Sequence, residues 1–122
     1  MLQVRQVPAG ETVGYGAAFT AAAPLVVAIV AAGYADGVLR AASPGGYGWA
    51  EGVRCPILGR ISMDLIALDI TAAKGVGAGT MVELLGPNVR LDDLAAGAGS
   101  IAYEVLTRLA PRAQRVYLGE AE

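Results

Sequence analysis

The sequence predicts a mainly β domain, of β-barrel or Greek-key type, with two short helices near its C-terminus. Three observations lead there. Short apolar runs rich in β-branched residues recur between Gly and Pro punctuation. The two stretches with helical periodicity both fall late in the chain. The length, 122 residues, suits one hydrophobic core and is too short for two ordinary ones, so residues 1–122 read as a single domain.

Taken in order, residues 1–10 read as a lead-in closed by Pro8-Ala9-Gly10. Residues 12–21 and 25–32 read as strands separated by Pro24, the second apolar enough to be buried on both faces. Gly33-Tyr34-Ala35-Asp36-Gly37 then supplies turn chemistry, and residues 43–48 are too glycine-rich for regular structure. Residues 53–62 and 65–70 are again strand-like, with Met63-Asp64 between them. A turn at 75–79 leads to a short strand at 80–85, closed by Gly86-Pro87-Asn88. The run 91–96 fits a short helix with Asp92 and Asp93 near its positive N-terminal end. Ser100 caps a second helix, with Ile101, Val105, Leu106 and Leu109 at helical spacing and Pro111 as its stop. Residues 115–118 read as a last strand.

Composition excludes several functions. The net charge of −2 is dispersed, with no basic patch or aromatic-interleaved stripe, so nucleic acid is not an expected partner. Cys55 is the single cysteine and has no internal disulfide partner, which fits a reducing, cytoplasmic setting. No zinc-ligand spacing occurs, and no metal is expected. Residues 12–35 carry no charge, yet Pro24 and many Gly, Thr and Ala positions leave no run of about 20 strongly apolar residues. A secretory leader is contradicted by Glu11 and by the Gly14-Tyr15-Gly16 element. With no histidine, acid–base chemistry falls to carboxylates, tyrosines, Lys74 or a partner, and histidine-dependent nucleophilic triads are excluded within the chain.

Single candidate residues each carry a structural reading beside a functional one. Tyr15 between two glycines is either a core plug at a strand start or a phenol presented to something. Asp36 in its glycine-flanked turn has backbone amides to satisfy. Arg60 after Gly59 reads as a solvated cation or a binding group. Met63-Asp64 fits a bulge with the methionine in the core, and Glu104 has a structural place early in a helix. Order and spacing together say more. Val13-Gly14-Tyr15-Gly16-Ala17 comes first, followed by Gly33-Tyr34-Ala35-Asp36-Gly37-Val38-Leu39-Arg40. Pro56-Ile57-Leu58-Gly59-Arg60-Ile61-Ser62-Met63-Asp64 is next, then Leu91-Asp92-Asp93-Leu94-Ala95 and Ile101-Ala102-Tyr103-Glu104-Val105-Leu106. The series resembles the C-terminal domain of alanine racemase, a fold-type III enzyme family, from about Val13 to Tyr117.

The resemblance implies an enzyme that interconverts L- and D-alanine with pyridoxal 5′-phosphate. In it, an N-terminal (β/α)8 barrel holds the cofactor, and a homodimer pairs each barrel with the other subunit's C-terminal domain. By position, Tyr15 matches the tyrosine that exchanges the Cα proton on the L-alanine side. Met63 matches the methionine whose backbone N–H holds the substrate carboxylate. Tyr34 and Tyr103 match the inner entrance to the site, Arg40, Arg60 and Ile101 its next layer, and Asp64 the acid after the carboxylate-binding methionine. Gly14 stands where the family commonly has serine, Phe19 where it has tryptophan or tyrosine, and Ala102 where a polar residue is more typical.

The matched region contains no barrel, and Lys74 sits away from every motif. The chain alone is therefore expected to bind no cofactor and to be inactive. An apolar face left by the barrel and second subunit is expected to promote self-association. The alternatives are a stand-alone binding or assembly module, and the same domain of a serine or broad-specificity racemase.

Overall fold

A computed structural model describes residues 1–13, 19–38, 46–90 and 93. Among the described residues there are seven strands: β1 (Gln3–Val7), β2 (Thr12–Val13), β3 (Phe19–Thr20), β4 (Leu25–Val30), β5 (Tyr47–Ala50), β6 (Val53–Leu58) and β7 (Ile66–Asp69). β2 and β3 form a two-stranded ribbon; the others make a five-stranded sheet in the order β1-β4-β7-β6-β5. Every pairing is antiparallel. β5, β6 and β7 follow one another as neighbours while β4 lies beside β7, a Greek-key arrangement. The mainly β expectation holds. Both expected helices and the strand at 115–118 lie outside the described residues.

β4 organises the sheet. Its register runs from Gln3 opposite Ile29 to Val7 opposite Leu25 on one side, and from Val27 opposite Asp69 to Val30 opposite Ile66 on the other. Successive side chains alternate faces, and two apolar clusters follow that alternation. Ala28, Val30, Cys55, Ile57, Ile66 and Leu68 share one cluster; Val7, Val27, Leu58 and Ala67 share the other. β4 is thus buried on both faces, as its unbroken apolar run requires.

Several expectations are corrected. The lead-in is a strand, because Gln3–Val7 pairs along the length of β4. Gln3, Arg5 and Gln6 are exposed, so this edge strand carries little apolar signal. Residues 12–21 are not one strand; Thr12 pairs with Thr20 and Val13 with Phe19. The glycine-rich stretch at 43–48 yields to β5 from Tyr47 onward. Gly48 belongs in that strand for want of room: a Cβ there would lie 3.0 Å from Val82 Cγ1 and 3.1 Å from Leu68 Cδ1. Residues 80–85 contribute only a bridge between Glu83 and Trp49, closed by two backbone hydrogen bonds of 2.9 Å.

Turn chemistry fixes the remaining connections. Glu51 (φ 49°) and Gly52 (φ 76°) both occupy the left-handed region between β5 and β6, as a type I′ hairpin demands. Beyond β7, the Thr71 hydroxyl donates to Asp69 Oδ1 at 2.5 Å and accepts the Val26 N–H at 3.0 Å, tying the turn back to β4. The Glu83 carboxylate accepts the Asn88 N–H at 2.6 Å, the Asn88 side-chain amide at 3.0 Å and the Val89 N–H at 2.8 Å. Partial desolvation raises this carboxyl, but the bonds from Asn88 and Val89 outweigh it and leave its pKa below the ordinary value. Burial pushes the Cys55 thiol up, the Ala50 backbone pulls it down, and nearby Asp69 adds to the rise. The net effect keeps Cys55 a neutral core residue.

Candidate functional site

Two of the sequence motifs meet. The first is a one-turn 3-10 helix, Tyr34–Asp36, that follows β4. Asp36 closes it from within: its carboxylate accepts the Gly33 N–H at 3.0 Å, and its own N–H donates to the Gly33 carbonyl at 2.9 Å. Gly37, at φ 102°, takes the left-handed conformation that ends the turn, and its N–H returns to the Tyr34 carbonyl at 3.2 Å. The structural reading of Asp36, a carboxylate satisfying backbone amides, is therefore correct as far as it goes.

The second is the turn between β6 and β7. Ile61 before it and Ile66 after it are both buried, so core packing pins each end. Within it the Ser62 hydroxyl donates to the Leu65 carbonyl at 3.0 Å and accepts the Leu65 N–H at 3.1 Å. The Ser62 N–H adds a bond of 3.1 Å to the same carbonyl. Met63, Asp64 and Leu65 are carried outward, and the side chain of Met63 is 52% exposed. The core reading of this methionine is thereby corrected: the turn presents it.

The 3-10 turn lies directly on this second turn. The Tyr34 N–H donates to the Ser62 carbonyl at 3.0 Å, and the Ala35 N–H to the Met63 carbonyl at 3.0 Å. Gly33 sits against the same two peptides. A Cβ at position 33 would fall 2.5 Å from the Met63 carbonyl carbon, and nearer still to the Ser62 and Met63 oxygens. Its backbone is extended, at φ −158°, so the need for glycine is one of space. Among the described residues the Met63 N–H meets no acceptor. An exposed tyrosine, a half-exposed methionine and a spare backbone donor are thus fixed together by backbone bonds.

Of the other sequence-derived candidates, Arg60 is exposed just beyond β6 and Asp64 is exposed on the turn itself. Tyr15, Arg40, Ile101 and Tyr103 lie outside the described residues. The strands bracketing Tyr15 in sequence, β2 and β3, are paired with each other. Lys74, the only lysine, is exposed in the turn after β7, at the opposite end of that strand from Met63. It offers no cofactor-linking amine near the docked turns. Sequence reading left Gly33 and Ser62 without individual roles.

Among the described residues no cluster of three or more Cys, Asp or Glu could hold a metal ion, and no helix is long and apolar enough to cross a membrane.

Comparisons with known proteins bear on this arrangement. Residues 1–117 match the family described as alanine racemase, C-terminal domain. A catabolic alanine racemase of Agrobacterium fabrum is 50% identical over 120 residues, 97% of this chain and 31% of the relative. The alanine racemase of Pseudoalteromonas atlantica is 42% identical over 98% of this chain and 32% of its own length. The chain thus spans about a third of the curated relatives it matches. In structure it is similar to the biosynthetic alanine racemase of Pseudomonas aeruginosa, with a TM-score of 0.91 and 36% identity over 97% of this chain and 33% of that one. The Bartonella henselae alanine racemase, solved with covalently bound pyridoxal phosphate, gives a TM-score of 0.91 and 38% identity over 96% of this chain and 33% of its own.

Proposed function

The chain belongs to the alanine racemase C-terminal domain family, and on that premise we propose that it serves as the C-terminal third of an alanine racemase. The observation that carries the reading is the docking of the Gly33–Asp36 motif on the Ser62–Met63 peptides, which leaves a backbone donor spare beside an exposed tyrosine.

In this reading Met63 N–H donates to a carboxylate oxygen of the substrate, so recognition is independent of the methionine side chain. Tyr34, with Tyr103, narrows the entrance to a small amino acid; Arg40, Arg60 and Ile101 form the next layer, and Asp64 flanks the carboxylate contact. Tyr15 removes the Cα proton of L-alanine and returns it in the reverse direction. A phenol ordinarily holds its proton to about pH 10, so Tyr15 needs cationic or hydrogen-bonding neighbours to work near neutrality. With no histidine in the chain, that tuning falls to a partner domain.

Pyridoxal 5′-phosphate does not fit a site made by this chain alone, since Lys74 stands at the far end of β7 from the docked turns. The cofactor belongs to an N-terminal barrel, and a homodimer brings each barrel against the other subunit's C-terminal domain. The enzyme is cytoplasmic in this reading.

Complementation tests the proposal. The chain is combined with, or fused to, a matching cofactor-binding barrel, and interconversion of L- and D-alanine is followed by chiral chromatography. Racemisation is expected with the wild-type chain and a loss of about 10²–10⁴-fold with Tyr15→Phe. Full activity of Tyr15→Phe would remove the proton-transfer role.

A further inference from the structure

We infer that Gly33 and Ser62 are positioning residues that aim the Met63 N–H at the substrate carboxylate, one by leaving room and the other by clamping the turn. The inference rests on the reading of Met63 as the carboxylate contact.

The geometry begins with the peptide between Ser62 and Met63. In a trans peptide the C=O and N–H point to opposite sides of one rigid plane. The Ser62 carbonyl is held by the Tyr34 N–H at 3.0 Å, so the Met63 N–H of the same plane is directed away from the 3-10 turn. The next carbonyl, of Met63, is held by the Ala35 N–H, which prevents the plane from rotating about either end. Two consecutive carbonyls bound by two consecutive amides fix the orientation of a donor that itself has no partner among the described residues.

That contact exists only because position 33 has no side chain. A Cβ there would overlap backbone atoms of Ser62 and Met63, which cannot swing aside as a flexible side chain can. Either the 3-10 turn lifts or the Met63 peptide tilts, and both move the N–H. Ser62 works from the other side, its hydroxyl making two of the three bonds to Leu65 that hold the turn closed. Neither residue need touch substrate. Each acts through the Met63 peptide, and Tyr34 moves with it because its own N–H is one of the two docking bonds.

The experiment uses a full-length racemase carrying this chain as its C-terminal third. Propionate, alanine's carbon skeleton without the amine, probes the carboxylate contact separately from turnover. Gly33→Ala is expected to weaken propionate binding about tenfold, the loss of most of one charge-assisted hydrogen bond. The KM for alanine rises by a similar factor while kcat changes less, the pattern of lost ground-state binding. Ser62→Ala, which adds no volume, produces the same split, and Ser62→Thr restores wild-type affinity by restoring the hydroxyl. The cofactor's absorbance, which reports the barrel, and the far-ultraviolet circular dichroism, which reports this β domain as well, stay unchanged in all samples, which a general loss of fold would not allow.

Met63→Pro, which removes the N–H itself, separates the two levels. If it weakens propionate binding while Gly33→Ala and Ser62→Ala leave it unchanged, the positioning inference is overturned and the carboxylate reading stands. If Met63→Pro binds propionate as the wild type does, the carboxylate reading fails and the inference fails with it.

Discussion

Gly48 offers a sharp test of how the sheet is packed. Glycine inside a strand normally weakens it, and replacement by alanine recovers about 0.5–1 kcal/mol of backbone entropy. Here the added methyl would meet Val82 Cγ1 at 3.0 Å, Leu68 Cδ1 at 3.1 Å and Leu84 Cδ2 at 3.4 Å. Leu68 is fully buried within the larger cluster, which leaves it little room to retreat. Overpacking of this kind costs about 1–3 kcal/mol, which outweighs that gain and leaves an expected net loss of up to about 2.5 kcal/mol for Gly48→Ala. Val82 is only partly buried, and Val82→Ala removes the methyl that makes the tightest contact. The double variant therefore exchanges one methyl for another across the same space. Its destabilisation should fall short of the summed single effects by about 0.5–1.5 kcal/mol. Urea unfolding followed through Trp49, the single tryptophan and the immediate neighbour of Gly48, supplies all four corners of the cycle. A stabilised Gly48→Ala, or strictly additive losses, would refute the packing argument.

Two further predictions concern groups away from the docked turns. Glu83 has its folded pKa lowered by the amides of Asn88 and Val89, so its contribution is present above its unfolded pKa of about 4.3 and is lost as pH falls through the folded value. Glu83→Gln should flatten that acid limb; an unchanged pH profile of the unfolding midpoint would show that the loop does not depend on the charge. Cys55 has 0% exposure and a raised pKa, so its alkylation at pH 8 should be slow in the native state and accelerate with urea in step with unfolding. Rapid native labelling would contradict its place in the core.

What the sequence made legible follows the strength of its local signals. β4 was clear because six consecutive apolar, mostly β-branched residues have one economical fate, burial on both faces. β1 was missed because an edge strand with exposed Gln3, Arg5 and Gln6 has no such run; its identity comes from pairing with β4, a long-range fact. β5 was hidden by Gly48, which local chemistry reads as a strand breaker and tertiary packing turns into a requirement. The motif residues stood out in their order along the chain. That Gly33 lies on the Ser62 and Met63 peptides did not, since nothing in either segment encodes a partner about 30 residues away.

The docked turns also explain where sequence constraint should fall when a backbone amide does the recognising. A side-chain ligand is preserved by preserving its own residue. An N–H is present in every residue but proline, so the identity of position 63 carries little of the specification. The constraint passes to whatever fixes the plane of that peptide: the missing Cβ at Gly33, the Tyr34 and Ala35 amides, the Ser62 hydroxyl, and the buried anchors Ile61 and Ile66. On this argument substitutions at Gly33 or Ser62 should disturb carboxylate binding more than side-chain changes at Met63 that keep the N–H. The site is then specified by its supports, and a donor common to almost all residues acquires its direction from two motifs that the fold brings into contact.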